Sequence, residues 1–409
     1  MTRILFVDDD PAVLQGLGRT VRSLRTEWQL AFATSGREAL EILAADRFDV
    51  IVSDMRMPGM DGAELLAEVM RRHPHMVRIV LSGQAEQATI LRSIGSTHQY
   101  LWKPCDPETL QQTLVRACAL RGMLADDALT RLVSRLDALP SPPARYLAVL
   151  EECRSSRGSV LKIAEVVAQD VAMSAKILQL VNSAFFGRRR RITSSLQAVQ
   201  LLGLNTVKAL MLSAHVFSEF RGTAKATEFV DRLHEHSLAA STCARLIAAS
   251  ERCREEVVDD AAVGALLHDT GELILAANLP DQYERALRMA QKEGISMRDA
   301  EVEVFGATHA AVGAYLMGLW ALPDAVVEAV AFHDSPASCP GGRFSPLTIA
   351  HVADVLAQEL MHPDASGAVG RLDDDYLGGL GLAQRLPIWR EACHEVAHAT
   401  AGALDAGND

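Results

Sequence analysis

The chain has 409 residues, which is more than one hydrophobic core usually organises, so we expect at least two domains. Hydrophobic residues make up 49% of the chain and charged residues 22%, and this balance excludes a wholly disordered, collagen-like or fibrous protein. The 40 Lys and Arg residues against 52 Asp and Glu residues give a net charge of −12, whose field repels phosphate backbones and anionic lipid head groups.

The cysteines and the apolar segments predict a cytoplasmic chain without a membrane segment. The 7 cysteines include no C-x-x-C pair, so we expect neither a disulfide framework nor a thiolate zinc site. The apolar run at the N-terminus is too short for the core of a signal peptide. Residues 307–322 form the most apolar stretch, but Pro323 and Asp324 end it short of the roughly 20 residues that cross a bilayer. We expect this stretch to be a buried helix.

Residues 1 to about 105 alternate short β-rich runs with amphipathic helical stretches. The predicted strands are Ile4–Val7, Leu30–Ala33, Val50–Ser53, Val77–Leu81 and Tyr100–Trp102. Five such βα units predict an α/β fold with a doubly wound, five-stranded parallel sheet and helices on both faces. Ligands of such sheets bind at the carboxyl ends of the strands.

Three carboxylates are predicted to meet at that edge of the sheet. Asp8 and Asp9 follow the first strand and Asp54 ends the third, and a sheet that pairs these strands brings the side chains together. Carboxylate oxygens suit Mg²⁺, which can neutralise an incoming phosphoryl group, and an aspartate can be the nucleophile of such a transfer. Ser82 and Lys103 end the fourth and fifth strands, where a hydroxyl and an ammonium group can contact phosphoryl oxygens.

These residues belong to a recognisable pattern. It consists of Val7-Asp8-Asp9, the run from Ser53 to Gly62, Ser82-Gly83 and Lys103-Pro104. The pattern resembles the response regulator receiver family, which implies that Asp54 is the phosphoacceptor of a histidine kinase or phosphotransfer protein. The resemblance also implies a Mg²⁺ site made by Asp8 through a water molecule, by Asp9 and Asp54, and by the backbone carbonyl of Arg56. It further implies that Ser82, Tyr100 and Lys103 switch the domain surface on phosphorylation.

The rest of the chain has helical periodicity. Apolar residues such as Ile177, Val181 and Ala184 share one helix face, and no convincing alternating strand is present. We expect a receiver domain at residues 1–122, a helical linker at 123–139, an all-α domain at 140–345, and a C-terminal helical extension at 346–409 that packs on it. The first of these regions has a net charge of −1 and the remainder −11, so the acidity belongs to the helical part.

Residues suited to metal binding recur along the helical part. They are His236, His268, Asp269, His309, His333 and Asp354. Imidazoles combined with carboxylates suit Fe, Mn or Zn. The set resembles the HD superfamily, which implies that one metal has four ligands, namely His236, His268, Asp269 and Asp354. His309 and His333 would extend the site toward a second metal, as in HD-GYP phosphodiesterases.

Four segments carry a resemblance to a different branch. They are Leu139–Pro143, Gln169–Leu178, Val181–Gly187 and Ser195–Gly203. They are similar to the HDOD domain, an HD-related output domain, and this branch implies a binding or scaffolding output without hydrolysis. After His333-Asp334 the chain also lacks the second His, the Glu and the Gly-Tyr-Pro loop of HD-GYP proteins, which argues against their cyclic-dinucleotide pocket.

Two interpretations of the output remain open. The first, which we favour, is a non-catalytic signalling module that binds a downstream protein or a second copy of the chain as a homodimer. The second is a phosphorylation-gated, metal-dependent phosphohydrolase or phosphodiesterase, because all four basic HD ligands are retained. The run Arg188–Arg191 could bind an anionic ligand or an acidic partner, but no helix-turn-helix pattern is present, so we expect no direct DNA binding.

Overall fold

The computed structural model describes most of the chain. The described residues are 2–21, 28–82, 96–103, 105, 107–119, 127–134, 136, 140–141, 159–182, 192–201, 218–219, 224–320, 322–339, 342–361 and 371–394. Several predicted features lie outside them: Gly83, Pro104, the arginine run 188–191 and parts of the HDOD-like segments. For Tyr100 the described part is the backbone.

The N-terminal domain is built on one parallel sheet. Its strands are β1 (Thr2–Val7), β2 (Trp28–Ala33), β3 (Val50–Asp54), β4 (Val77–Ser82) and β5 (Gln99–Trp102), in the order β2-β1-β3-β4-β5. The helices are α1 (Pro11–Thr20), α2 (Gly36–Ala45), α3 (Gly62–Arg72) and α4 (Pro107–Ala119). Every residue of β3 and β4 is buried, as continuous apolar strands covered on both faces require. The predicted doubly wound fold is confirmed.

The strand order sets up the carboxyl edge of the sheet. β1 and β3 are neighbours with Val7 opposite Ser53, so the residues that follow them, Asp8 and Asp54, are adjacent. The turn after β3 is tight, because the Gly62 N–H donates to the Met55 carbonyl and a side-chain carbon at Gly62 would come within 2.2 Å of the Asp54 carbonyl oxygen. Asp54 therefore sits at a closely packed edge.

The described part of the remaining chain is mainly helical, as predicted. Its labelled helices are α5 (Asp127–Val133), α6 (Val160–Ala168), α7 (Val171–Asn182), α8 (Ala224–Ser250), α9 (Glu255–Leu267), α10 (Thr270–Asn278), α11 (Pro280–Glu293), α12 (Met297–Phe305), α13 (His309–Leu319), α14 (Asp324–Phe332), α15 (Pro346–Met361) and α16 (Asp374–Gly379). Residues 195–201 and 386–394 are also helical. Within the described part of this region the strands are a two-residue parallel pair, β6 (Pro140–Ser141) and β7 (Ser218–Glu219).

The most apolar stretch of the sequence is the buried helix that we expected, since every residue of α13 except Ala311 is buried. Among the described residues, no single helix has the length and hydropathy needed to span a membrane. The pair α12 and α13 meets the criterion only when the two are joined, and they are bent by 70°.

The C-terminal region packs onto the helical domain. α15 lies against α8, α9 and α14 and is buried from Leu347 to Ala357. Further along, Trp389 is fully buried, and its indole N–H donates to Glu251 at 2.8 Å. The expected boundary at residue 345 therefore separates α15 from the helices that it contacts.

A buried interface joins the two halves of the chain. It is formed by the starts of β4 and β5 on one side and by α5, α7 and α13 on the other. Arg78 Nη2 donates to the Ser134 carbonyl at 2.6 Å, and Gln99 Nε2 donates to the Leu319 carbonyl at 3.2 Å. One apolar cluster, which includes Leu101 and Leu316, runs continuously from the sheet into the helices.

Candidate functional site

The predicted phosphoacceptor lies in a pocket of buried polar groups. Asp8, Asp54 and Ser82 are buried, whereas Asp9 is exposed at the rim. The Lys103 ammonium group contacts both Asp8, at 2.6 Å from Oδ2, and Asp54 Oδ1. The structure thus brings these carboxylates and the lysine to one locus. This was expected, because they lie at the carboxyl ends of neighbouring parallel strands.

Backbone groups hold the two buried carboxylates. Asp54 Oδ2 accepts a hydrogen bond from the Arg56 N–H at 3.0 Å, so the Arg56 peptide adjoins the phosphoacceptor candidate. Asp8 Oδ1 accepts from the Asp10 N–H at 3.0 Å. The Lys103 N–H donates to the Ser82 carbonyl at 2.8 Å, which fixes the end of β5 beside the end of β4.

Charge in this pocket is unevenly balanced. Burial raises the pKa of Asp54, an effect that the nearby Lys103 only partly offsets. Burial also lowers the pKa of Lys103, but its contacts with Asp54 and Asp8 outweigh that effect and the net pKa is raised. One ammonium group faces three carboxylates when Asp9 is included. This excess of hard oxygen donors fits a Mg²⁺ ion.

The second cluster is assembled from six helices and their ends. His236 lies on α8, His268 and Asp269 form the junction of α9 and α10, His309 opens α13, His333 follows α14, and Asp354 lies on α15. All six predicted residues converge. His236 Nε2 is 2.9 Å from Asp354 Oδ1 and 3.2 Å from His268 Nε2, and His309 Nε2 is 3.3 Å from His333 Nε2.

All four imidazoles aim Nε2 at the centre of this cluster, and in three of them a neighbouring oxygen fixes Nδ1. Nδ1 of His268 is 2.7 Å from the Ala265 carbonyl, and Nδ1 of His333 is 3.0 Å from the Val330 carbonyl. Because a carbonyl can only accept, each Nδ1 carries the proton and Nε2 of the neutral ring keeps its lone pair. His309 follows the same pattern, with Nδ1 2.8 Å from the Glu301 carboxylate. Lone pairs that converge in this way are suited to a cation.

Without a cation, the carboxylates set the protonation of the imidazoles. Burial lowers the pKa of His268, but Asp269 and Asp354 outweigh burial and hold it well above its ordinary value. Burial also lowers the pKa of His309, but the Glu301 carboxylate outweighs burial, and the net pKa is raised to about 10. His333 has the opposite balance, since burial and the neighbouring His268 and His309 lower its pKa to about 4. Protons thus supply the positive charge that the carboxylates require.

Two carboxylates of this site were not identified from the sequence. Glu301 is fully buried and binds His309 through both the backbone N–H and Nδ1, but it comes from α12 and has no spacing that marks it. Glu272 follows Asp269 by three residues, one helical turn, so the periodicity of α10 could have identified it. Burial, followed by the charge of Asp269, raises the pKa of Glu272 to about 7.

Comparison with known proteins identifies both halves. A model of the response regulator receiver domain matches residues 4–115, and a model of the HDOD domain matches residues 139–336. The chain carries a response regulator receiver domain and an HDOD domain. The resemblances to the receiver family and to the HDOD domain, which were inferred from sequence motifs, are thereby confirmed.

Individual relatives match parts of this receiver–HDOD chain. The hydrogenase transcriptional regulatory protein HoxA of Cupriavidus necator is 35% identical over 125 residues, 30% of this chain and 25% of that protein. An uncharacterized protein of Treponema pallidum is 23% identical over 236 residues, 56% of this chain and 45% of that protein. The solved MmoQ response regulator of Methylococcus capsulatus is 22% identical, with a TM-score of 0.45 over 62% of this chain and 98% of that chain.

These alignments cover less than half the length of the curated relatives. HoxA is named a transcriptional regulatory protein, and the matched part is a quarter of it. The expectation that this chain does not bind DNA directly stays a prediction.

Proposed function

We propose that this chain is a two-component response regulator in which Asp54 accepts a phosphoryl group from a histidine kinase or a phosphotransfer protein. The observation that carries the proposal is the contact of one ammonium group, Lys103, with the buried carboxylates of Asp8 and Asp54. A phosphoryl group on Asp54 brings new oxygens that compete for that ammonium group.

The residues of the pocket have separate tasks in this proposal. Asp54 is the nucleophile, while Asp8, Asp9 and the Arg56 carbonyl hold Mg²⁺ beside it. A bound Mg²⁺ neutralises the charge of the incoming phosphoryl group. Ser82 lies buried at the end of β4, next to Lys103, where its hydroxyl can bind a phosphoryl oxygen. Tyr100, on β5, completes the switch set.

Mass spectrometry tests the phosphoacceptor. The full chain is treated with acetyl phosphate and Mg²⁺, and the intact mass is expected to rise by one phosphoryl group in the wild type and not in Asp54→Asn. Asp10→Asn is the matched control, because Asp10 caps α1 through its Oδ1 and asparagine caps a helix equally well. An unchanged wild-type mass contradicts the proposal.

For the output, we propose a protein-binding role of the HDOD domain that phosphorylation regulates. The buried interface around Arg78 and Gln99 supports the regulatory part of this proposal, because it provides a direct contact through which a change in the receiver domain would reach the helical part. We keep the receiver domain at residues 1–122 and the linker at 123–139. We extend the output domain beyond 345 to include α15, since Asp354 shares a cluster with His236. Partner capture by wild type and Asp54→Ala under phosphodonor tests this role, and equal capture by both contradicts it.

A second candidate for the output is a metal-dependent phosphohydrolase. The convergence of His236, His268, Asp269 and Asp354 favours it, because this donor set fits Fe, Mn or Zn. A metal bound there lowers the pKa of a coordinated water. The test combines metal analysis of the purified chain with a screen of nucleotides and cyclic dinucleotides. Turnover that is lost in His268→Ala and Asp269→Ala supports this candidate, and a metal-free chain contradicts it.

A further inference from the structure

The imidazoles of the helical cluster face different oxygens of a single carboxylate. Asp269 Oδ2 is 3.0 Å from His268 Nε2 and 3.7 Å from His236 Nε2. Asp269 Oδ1 is 3.6 Å from Nε2 of both His309 and His333. The donors therefore form two sets that share Asp269, with Asp354 belonging to the first of them through its contact with His236.

The second set contains a carboxylate of its own. A ligand atom of Glu272 lies within 4.8 Å of ligand atoms of both Asp269 and His309. The Tyr283 hydroxyl donates to Glu272 Oε2 at 3.1 Å, which holds this carboxylate in place. Two carboxylates and two imidazoles thus surround this second position, a mixed set of the kind that binds Fe, Mn or Zn.

The backbone also draws this second set together. A side-chain carbon at Gly271 would come within 1.9 Å of the His309 carbonyl oxygen, so α10 and the start of α13 touch because that side chain is missing. Glu301 then fixes the His309 ring, accepting from its backbone N–H at 2.8 Å and pairing with its Nδ1. A buried carboxylate behind a histidine orients the ring and increases the basicity of the nitrogen opposite.

The resemblance to the HD superfamily already implies a second metal at His309 and His333. We infer that Glu272 is a further ligand of that second divalent cation, together with Asp269. This inference rests on the proposal that the cluster binds metal at all. Glu301 acts as a positioning residue for His309. The resemblance to the HD superfamily does not supply Glu272, which lies in the first turn of α10, directly after the His268-Asp269 pair.

Metal counting tests the inference. Full-length protein is stripped, loaded with Mn²⁺ in excess Mg²⁺ so that Mg²⁺ fills the receiver-domain site, desalted and analysed for Mn per chain, and the electron paramagnetic resonance spectrum is recorded. The wild type is expected to hold two Mn²⁺ per chain with the signal of a magnetically coupled pair. Glu272→Gln is expected to hold one, with the hyperfine pattern of an isolated ion. Glu303→Gln, an exposed carboxylate of α12, is the matched control and should keep two.

The outcomes separate the inference from the proposed metal centre. One uncoupled Mn²⁺ in the wild type overturns the inference and leaves a single-metal centre, whereas no Mn²⁺ overturns both. Two Mn²⁺ in a folded Glu272→Gln chain overturn the assignment of Glu272. If that variant does not fold, the wild-type spectrum still decides between one and two cations, and Glu272→Asp, which keeps the charge, tests the ligand. Glu301→Gln is expected to weaken the second cation by about 10- to 100-fold while the first stays bound.

Discussion

A single ammonium group controls the charge of the pocket around Asp54. Lys103 contacts Asp8 and Asp54 and is itself about one-quarter exposed, with a side-chain exposure of 29%. It occupies the same carboxylates that Mg²⁺ requires, so the lysine and the metal ion compete for negative charge.

We therefore predict that Lys103→Met tightens Mg²⁺ binding. Removal of one charge at contact distance near the surface is worth about 1 kcal/mol, or about fivefold in the dissociation constant. Isothermal titration calorimetry with MgCl₂ measures it. Lys162→Met, which changes an exposed lysine on α6, should leave the affinity unchanged. Weaker Mg²⁺ binding by Lys103→Met would contradict the competition.

A histidine in the interdomain interface links stability to pH. His98 is buried, its Nδ1 accepts a hydrogen bond from the Arg78 N–H at 3.1 Å, and its Nε2 is 3.1 Å from the Ser134 carbonyl. Nδ1 cannot both accept that bond and carry a proton. Burial and the adjacent Arg78 charge hold the pKa of His98 well below its ordinary value.

We predict that His98 makes the protein less stable in mild acid. Below about pH 6.5 the unfolded chain protonates this histidine and the folded chain does not, so the free energy of unfolding falls by up to about 1.4 kcal/mol per pH unit. Urea unfolding at about pH 7.5 and about pH 5.5 measures the loss, which should be smaller in His98→Asn. His394→Asn, which changes an exposed histidine, should behave as the wild type does. An identical pH dependence in His98→Asn would refute the assignment.

Residue-level prediction from the sequence succeeded where position along a strand dictates geometry. Asp8, Asp54 and Lys103 each lie at the carboxyl end of a parallel strand or directly after it, so the topology alone gathers them. Glu301 and His98 show the limit. Each finds its partner through the packing of separate elements, and the sequence around it carries no periodic or spacing signal for that contact.

At the level of elements, one glycine controls how α10 meets α13. Gly271 lies between Asp269 and Glu272, and a side chain there would collide with backbone atoms of His309. Backbone cannot move aside as a flexible side chain can, so relief requires a shift of the whole helix.

We predict that Gly271→Ala destabilises the protein by about 3 kcal/mol, because the added carbon overpacks a backbone contact. The same variant should lose the second cation, since α13 moves away with His309. Thermal unfolding and metal analysis measure the two effects. Gly378→Ala in α16 is the control, because nothing lies within 4 Å of a side-chain carbon there. That variant should match or slightly exceed wild-type stability. A fully stable Gly271→Ala with both cations bound would contradict this account.

Elements were predicted best where periodicity is strong. The continuous apolar runs of β3 and β4 and the apolar stretch of α13 carry their own signal. The partners of an element are set by tertiary packing. α15 illustrates this limit: its sequence predicts a helix, but its place against α8, α9 and α14 became visible only in three dimensions.

For the whole molecule, α13 connects the two functional sites. Its first residue, His309, belongs to the cluster of histidines and carboxylates, and the carbonyls of Gly318 and Leu319 at its other end accept hydrogen bonds from Gln99 Nε2 at 3.5 and 3.2 Å. Gln99 begins β5, and Lys103 directly follows that strand. A helix of 11 residues spans about 16 Å, so one rigid element separates the receiver sheet from the cluster.

We predict that phosphorylation of Asp54 changes the Mn²⁺ affinity of the HDOD domain through this helix. A coupling free energy of about 1–3 kcal/mol corresponds to a change of about 5- to 150-fold in the dissociation constant. Calorimetry with Mn²⁺ in excess Mg²⁺, which fills the receiver-domain site, measures the change before and after acetyl phosphate treatment. Gln99→Met should reduce it, because the side chain keeps its size but loses both hydrogen bonds to α13. Gln111→Met removes a comparable bond to the Thr20 carbonyl within the receiver domain and should preserve the coupling. Equal affinities in the two phosphorylation states would show that α13 carries no signal. The helix transmits a signal only if phosphorylation and metal binding each favour a different position of this helix.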